Sequence, residues 1–182
     1  MSSTLDSLLA PLAARPAQWL ITGVAGFIGS HLAEGLLKQG QRVVGLDDFS
    51  TGRMETLREV RAEVGEAAWS RFRLVEGSVL DPDLCARAME GVDYVLHHAA
   101  LVSVPRSLEE PVLTTWINVG GFANLLASAR HAGVRRVVYA SSSAVYGDAS
   151  GAANREECLG EPLSPYALTK RENELQAKLY AL

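Results

Sequence analysis

Short apolar runs alternate along the chain with longer segments whose apolar positions recur every three or four residues. The short runs, typical of buried strands, lie at 19–22, 42–46, 72–75, 94–97 and 137–141. The longer segments, typical of amphipathic helices, lie at 30–39, 54–64, 81–89, 112–131 and from 164 onwards. Loops are predicted after the fourth strand, through Pro105 and Pro111, and at 147–154. This order predicts an α/β fold, a doubly wound parallel sheet with helices on both faces.

The first 17 residues form a separate predicted segment. Four leucines in it fall at helical spacing: Leu5, Leu8, Leu9 and Leu12. We therefore expect a short amphipathic extension. An export signal is the alternative, but Asp6 precedes the apolar stretch and no Lys or Arg opens it. The remaining residues, 18–182, are of a length typical of one domain.

Composition removes several classes of function. The chain has 17 Lys and Arg against 21 Asp and Glu, a net charge of −4, and no basic block, which argues against a nucleic-acid or anionic-membrane partner. No apolar run approaches the roughly 18 residues of a membrane span. Cys85 and Cys158 form no CxxC pair, which excludes a disulfide framework or a cysteine zinc site and favours a cytoplasmic protein.

Residues 22–29 read Thr-Gly-Val-Ala-Gly-Phe-Ile-Gly and stand where the first strand passes into the first helix. Glycines there permit a tight turn and let backbone N–H groups approach a pyrophosphate, as in a Rossmann-type dinucleotide site; a structural turn is the alternative. Asp47 ends the second strand, 18 residues after Gly29, where its carboxylate can bind the adenosine ribose. Asp47 would repel a 2′-phosphate, which favours NAD over NADP, although Arg53 is near enough to retain some NADP binding.

Tyr166 and Lys170 lie four residues apart at the start of the last predicted helix, and therefore on one helix face. A nearby ammonium favours the phenolate, so the pair can supply a base that works closer to neutral pH than free tyrosine. A serine hydroxyl from the 141–143 run, at the end of the fifth strand, could bind the same substrate oxygen. An exposed helix pair without chemistry is the alternative for Tyr166 and Lys170 taken alone.

Two adjacent histidines, His97 and His98, end the fourth predicted strand. Adjacent side chains of a strand point to opposite faces, so the pair is poorly arranged to hold one ion. We expect no metal site in this chain.

Six segments together resemble the extended short-chain dehydrogenase/reductase family, most closely its UDP-hexose 4-epimerases. They are TGVAGFIGSHL at 22–32, VVGLDDFSTG at 43–52, VDYVLHHAALVSVPRS at 92–107, NVGGFANLL at 118–126, SSSAVYGD at 141–148 and SPYALTK at 164–170. The resemblance covers residues 18–182 and implies NAD as cofactor. The cofactor contacts that it implies are Gly23, Gly26, Phe27, Ile28, Gly29, Asp47, Asp48, Ser50, Thr51, Gly52, Ser78, Val79, Ala99, Ala100, Leu101, Tyr166 and Lys170.

The resemblance also implies a catalytic set of Ser142, Tyr166 and Lys170. Tyr166 would take the proton of the sugar 4-hydroxyl as hydride leaves carbon 4, and Ser142 would share that hydrogen bond. The resulting 4-keto sugar could turn over and accept hydride on its other face. Ser103 and Ser143 are implied substrate contacts beside Ser142 and Tyr166, and the segment around Ser103 resembles that of epimerases acting on UDP-N-acetylhexoses or UDP-hexuronic acids.

Departures from related patterns narrow the prediction. Nucleotide-sugar dehydratases and decarboxylases of the family carry a carboxylic acid just before Val-Tyr-Gly, where this chain has Ser143 and Ala144. Neither side chain can supply that proton, so epimerisation is the reaction that remains. The resemblance implies UDP-GlcNAc/GalNAc or UDP-Glc/Gal as the substrate. Many relatives read the adenine amine with an Asp after the glycine that follows strand three, where this chain has Ser78. Asn118 resembles a residue that supports the active site, with ordinary helix packing as the alternative.

Relatives continue well beyond the position of Leu182 and build most of the nucleotide-sugar pocket there. The chain is therefore expected to be the N-terminal, cofactor-binding portion of a longer enzyme. A catalytically silent dinucleotide-binding module, or another nucleotide-sugar oxidoreductase of the family, is the alternative. Family members commonly form homodimers, which makes the helices at 112–131 and 164–182 the predicted dimer surface; a stripe facing the core is the alternative.

Overall fold

The computed structural model of the protein describes residues 12, 14–149 and 153–181. The predicted N-terminal helix, within residues 1–17, therefore lies almost wholly outside the described residues.

A five-stranded parallel sheet forms the centre of the domain. Its strands are β1 (Gln18–Thr22), β2 (Arg42–Asp47), β3 (Phe72–Glu76), β4 (Tyr94–His97) and β5 (Arg136–Tyr139). Their spatial order is β3-β2-β1-β4-β5, so the chain moves outward from β1 in one direction and then in the other. This is the predicted Rossmann-type arrangement, and its order reverses beside β1. The carboxyl ends of β1, β2 and β4 meet at that point, where open α/β sheets bind ligands.

Helices cover both faces of the sheet. They are α1 (Phe27–Lys38), α2 (Met54–Val64), α3 (Glu66–Trp69), α4 (Pro82–Ala88), α5 (Val104–Glu109), α6 (Pro111–Thr115), α7 (Gly121–His131) and α8 (Pro165–Tyr180). A π-helical turn (Trp116–Gly120) joins α6 to α7, and a short 3-10 helix (Ser143–Tyr146) follows β5.

Two apolar cores form because side chains alternate across the strands. Leu20 of β1 packs with Phe122 and Leu125 of α7 on one face. The next residue, Ile21, packs with Leu37 of α1 and Leu57 of α2 on the other. All six side chains are buried. Burial on both faces explains why β1 and β2 read as continuous apolar runs.

Several boundaries differ from the sequence prediction. The first helix begins at Phe27 rather than residue 30, because the last glycine of the motif lies inside it. The predicted loop after β4 contains α5, which Ser103 caps through a hydrogen bond from Arg106 N at 3.2 Å. The fifth strand ends at Tyr139 rather than 141, since Ser142 caps the 3-10 helix that follows.

The helical segment 111–131 changes one expectation. It is long and apolar enough to cross a membrane by those two criteria, contrary to the expectation that no segment would approach them. Phe122, Leu125, Leu126 and Ala129 of this segment are buried against the sheet. The segment is therefore a core helix of the domain, which passes the same test as a membrane span.

Candidate active site

The glycine motif brings backbone atoms into close contact where β1 passes into α1. Gly23 has a φ of +68°, in the left-handed region, and its N–H donates to Leu46 O at 2.8 Å. A Cβ added at Gly29 would lie 2.2 Å from Gly23 O, and one added at Gly23 would lie 2.8 Å from Ala99 N. These distances leave no room for a side chain, so the turn needs glycine at both positions.

The turn leaves the start of α1 open to a ligand. Gly26 is the N-cap, and no side chain of the described residues caps the helix there. The first helical residues, Phe27 and Ile28, are exposed. Uncapped N–H groups and the positive end of the helix dipole favour an anion such as a pyrophosphate at this position.

A cavity of about 610 Å³ lies over the carboxyl ends of β1, β2 and β4. Fifteen of the seventeen predicted cofactor contacts line it: Gly23, Gly26, Phe27, Ile28, Gly29, Asp47, Asp48, Ser50, Thr51, Gly52, Ser78, Val79, Ala99, Ala100 and Leu101. The other two, Tyr166 and Lys170, lie outside that lining. The glycine motif and the segments after β2, β3 and β4 therefore come together at one cavity, whereas the motif of Tyr166 and Lys170 lies outside its lining.

Asp47 and Ser78 both engage backbone groups at this cavity. Asp47, 7% exposed, accepts hydrogen bonds from Ala25 N at 2.8 Å and from Phe49 N at 2.9 Å. Burial raises the pKa of the Asp47 carboxyl, while these two N–H donors act in the opposite direction. The Ser78 hydroxyl accepts from Leu80 N at 3.3 Å.

Seven further residues line the cavity and were not among the predicted cofactor contacts: Leu46, Gly77, His98, Val102, Arg106, Leu113 and Ile117. His98 has a buried Nδ1 without a hydrogen-bond partner among the described residues, and burial, followed by the nearby Lys170, lowers its pKa. Arg106 forms an ion pair with Glu110. Arg106 lies at the cavity because its segment forms helix α5. The sequence predicted a loop there, and Arg106 was therefore missed as a cavity residue.

Helix α8 positions the predicted catalytic residues. Ser164 caps it by accepting from Ala167 N at 3.1 Å, and Pro165 occupies its first turn. Tyr166 and Lys170 are both buried. Lys170 Nζ donates to Ala140 O at 3.0 Å, and burial lowers the pKa of this lysine to about 8.

The serine run lies between β5 and α8. The Ser142 hydroxyl accepts from Ala144 N at 3.1 Å and caps the 3-10 helix, which packs against α8. Ser141 donates to Glu174 of α8 at 2.6 Å. Ser143 is exposed at the start of the 3-10 helix, and neither it nor Ser103 lines the cavity.

Asn118 joins the cavity to α8. In the π-helical turn, its Oδ1 accepts from Leu101 N at 2.8 Å, and its Nδ2 donates to Leu101 O at 3.2 Å. The same Nδ2 also donates to Thr169 Oγ1 at 3.1 Å, while Asn173 Nδ2 donates to Asn118 O at 2.8 Å. Asn118 is thus a buried polar connection rather than an ordinary packing residue.

The two histidines diverge as the strand geometry requires. His97 Nδ1 lies 2.7 Å from Thr22 Oγ1, and its ring stacks on Phe122 in the core. His98 lines the cavity instead. Over the residues that the structure describes, no three His, Cys, Asp or Glu side chains are grouped to hold a metal ion.

A parallel sheet with this order, a glycine turn and an acidic residue at the end of β2 define a dinucleotide-binding Rossmann domain. The chain belongs to the NAD dependent epimerase/dehydratase family, whose profile matches residues 19–182. NAD is therefore its cofactor class, and the glycine turn, which a single Cβ would obstruct, fits a pyrophosphate.

Individual relatives share this half of their structure with the chain. It is 40% identical over 163 residues to a UDP-glucose 4-epimerase of Mycolicibacterium smegmatis, covering 88% of this chain and 50% of that protein. An epimerase from Methanothermobacter thermautotrophicus superposes with a TM-score of 0.87 at 30% identity, covering 97% of this chain and 51% of the other. A dTDP-glucose 4,6-dehydratase from Streptomyces venezuelae reaches a TM-score of 0.81 at 38% identity, with 90% and 51% covered. The chain thus spans about half the length of the relatives it matches.

Proposed function

We propose that this chain carries the NAD site and the catalytic Ser142, Tyr166 and Lys170 of a UDP-hexose 4-epimerase acting on UDP-GlcNAc/GalNAc or UDP-Glc/Gal. The observation that carries the proposal is the packing of α8 against the Ser142 segment, with Lys170 bonded to Ala140 O. UDP-sugar 4-epimerases among the relatives support the substrate class.

NAD, when bound, supplies the reversible hydride acceptor that epimerisation at carbon 4 requires. Tyr166 holds and returns the proton of the 4-hydroxyl, and Ser142 hydrogen-bonds the same oxygen. Lys170 is held by its hydrogen bond to Ala140 O, and it assists Tyr166 in this step. The 4-keto sugar turns over in the site before hydride returns to its other face.

Ser143 and Ala144 favour epimerisation over dehydration. The fold does not separate the two activities, since the dTDP-glucose 4,6-dehydratase superposes as well as many epimerases. A dehydratase needs a further acid beside the substrate, and the chain has a hydroxyl and a methyl group at these positions. Removal of water at carbon 6 therefore lacks its proton donor.

The first experiment is a calorimetric titration of the chain with NAD, followed by chromatographic analysis after incubation with NAD and either UDP-glucose or UDP-GlcNAc. We expect this chain to bind NAD, and we expect the corresponding 4-epimer to form where the sugar-nucleotide pocket, which relatives build in their other half, is also present. NAD binding without conversion, even with that pocket present, would favour the second candidate, a catalytically silent dinucleotide-binding module. Binding of neither ligand would contradict both candidates.

The chain is further proposed to form a homodimer through the segments 112–131 and 164–182. Exposed apolar side chains on these segments support a partner surface: Val112, Trp116, Leu168, Leu175 and Leu179. We propose a cytoplasmic protein with a UDP-sugar as substrate and with no nucleic-acid or membrane partner, in keeping with the net charge of −4 and the absence of a basic block from the sequence.

A further inference from the structure

Asp47 connects the two loops that form the floor of the nucleotide cavity. Its Oδ2 accepts from Ala25 N, inside the glycine turn, and its Oδ1 accepts from Phe49 N, in the loop after β2. The carboxylate is 7% exposed and lines the cavity. Both oxygens are therefore engaged by the protein itself before any ligand is considered.

Further contacts around Asp47 also hold the two loops close to each other. A Cβ added at Gly52 would lie 2.9 Å from Asp47 Oδ1 and 2.8 Å from the Ala25 side chain. Arg53 N donates to Ala25 O at 3.2 Å, which ties the second loop to the turn again. Phe49 has a φ of +56°, an unfavourable backbone conformation outside glycine, and its N–H bond to Asp47 helps to hold it there.

We propose that Asp47 is a positioning residue for the diphosphate of the cofactor, in addition to its contact with the ribose. It acts through Ala25, by holding the glycine turn in the shape that presents backbone N–H groups to the diphosphate. A turn fixed in advance binds an anion more tightly than one that must be ordered by the ligand. The proposal rests on the NAD site proposed above.

Electrostatics alone makes the opposite prediction, which renders the proposal testable. A carboxylate near a diphosphate repels it, so removing the charge of Asp47 should strengthen diphosphate binding if charge were its only influence. Removing a positioning group should instead weaken it. The sign of the change therefore distinguishes the two roles.

The probes are ADP and 2′,3′-dideoxy-ADP, which carry the same diphosphate but differ in the ribose hydroxyls. Their dissociation constants are measured by calorimetry for the unaltered chain, Asp47→Ala and Asp47→Asn. We expect Asp47→Ala to weaken dideoxy-ADP about tenfold, the size of effect typical of a hydrogen bond to a charged group. Asp47→Asn keeps one acceptor oxygen for Ala25 N–H and should restore part of that loss.

Glu76→Gln is the matched control. Glu76 lies beside Asp47 in the sheet register, is exposed, and does not line the cavity. The substitution removes the same charge without touching the glycine turn. Its affinity for dideoxy-ADP should be unchanged or slightly higher.

If Asp47 acts on the ribose alone, Asp47→Ala will weaken the binding of ADP and leave the binding of dideoxy-ADP unchanged or tighter. That result would overturn this inference but not the proposed cofactor site. Failure of the unaltered chain to bind NAD and ADP would overturn the proposed cofactor site together with it. If Asp47→Ala does not fold, the pH titration of the unaltered chain by NMR decides. The Ala25 and Phe49 amide resonances should follow the Asp47 carboxyl, and a flat Ala25 response would overturn the inference.

Discussion

Lys170 is buried with its ammonium group directed at Ala140 O, and burial lowers its pKa to about 8 from 10.5. Between those two values the unfolded chain binds more protons than the folded chain at this residue. The free energy of unfolding should therefore rise with pH in this window, by up to about 1.4 kcal/mol per pH unit. Urea unfolding at pH 8 and pH 10 measures the change.

Lys170→Met is the control for that pH dependence, because it retains the length of the side chain without a titrating group. Tyrosines and other lysines titrate in the same range and affect both proteins alike. The unfolding free energy of the unaltered protein, minus that of Lys170→Met, should thus increase from pH 8 to pH 10. An unchanged difference would mean that the folded-state pKa of Lys170 is close to that of the unfolded chain.

Tyr166→Phe tests the proposed base directly. The side chain is buried at the start of α8, outside the lining of the nucleotide cavity, and the substitution removes only its hydroxyl. NAD affinity should stay within about twofold. In a full-length protein that also carries the sugar-nucleotide pocket, epimer formation should fall by roughly 10²- to 10⁴-fold, the usual contribution of a general base. Calorimetry and chromatography report the two quantities separately. Undiminished turnover would remove Tyr166 from the mechanism.

At the scale of single elements, the π-helical turn (Trp116–Gly120) lets a helix residue reach the loop that follows β4. Asn118 satisfies both the N–H and the C=O of Leu101, whose own side chain is buried at the cavity. Asn118→Ala leaves both backbone groups buried without that partner. We expect a loss of about 2–4 kcal/mol in the free energy of unfolding and weaker NAD binding.

Asn124→Ala provides the comparison on α7, the next segment of the same helix. Asn124 Nδ2 donates to Val79 O and Leu80 O, also backbone groups, but in a partly buried setting. Its loss should cost less stability, since water can reach the released carbonyl groups. Chemical denaturation and calorimetry on both variants check the order. Equal effects would argue that Asn118 has no special role.

The same elements show what the sequence could and could not predict. The helix at 54–64 has the bounds given by its apolar spacing, and Ser164 followed by Pro165 correctly marked the start of α8. Local signals were sufficient there. The π-helical turn was not predicted. Asn118 within it bonds to Thr169 and Asn173 of α8 in the folded core, and no spacing along the chain reveals such contacts.

The candidate site divides in the same way. The family resemblance predicted fifteen of the residues that line the nucleotide cavity. The glycine spacing itself predicted the turn, because close backbone approach leaves no room for a side chain at Gly23 or Gly29. The dual engagement of Asp47 was not predictable, since it depends on where Ala25 and Phe49 lie after folding. The position of Arg106 at the cavity likewise depends on α5, because Pro105 within it and Pro111 after it made the segment resemble a loop.

At the scale of the whole molecule, the exposed apolar side chains of the 112–131 and 164–182 segments predict self-association. Trp116 and Leu175 are 66% and 51% exposed, although the segments carrying them pack against each other. Analytical ultracentrifugation should give the mass of a dimer for the unaltered chain. Trp116→Glu and Leu175→Glu should each shift it toward the monomer, because a carboxylate is costly to bury at an interface.

Leu163→Glu serves as the control for the dimer surface. Leu163 is 71% exposed, but it precedes α8 and lies outside both segments. This substitution should leave the mass unchanged. A monomeric unaltered chain, or a dimer insensitive to both helix substitutions, would count against the proposed surface.

The outermost position of β5 has a consequence for handling the protein. Within the described part of the chain, this strand pairs with β4 on one side only, and Val138 is half exposed. A free strand edge offers unpaired backbone groups to any extended peptide that meets it. Concentrated solutions of the protein should therefore aggregate on warming, as measured by thioflavin fluorescence and light scattering. Val138→Lys should delay this aggregation, because it places a charge on the exposed edge strand.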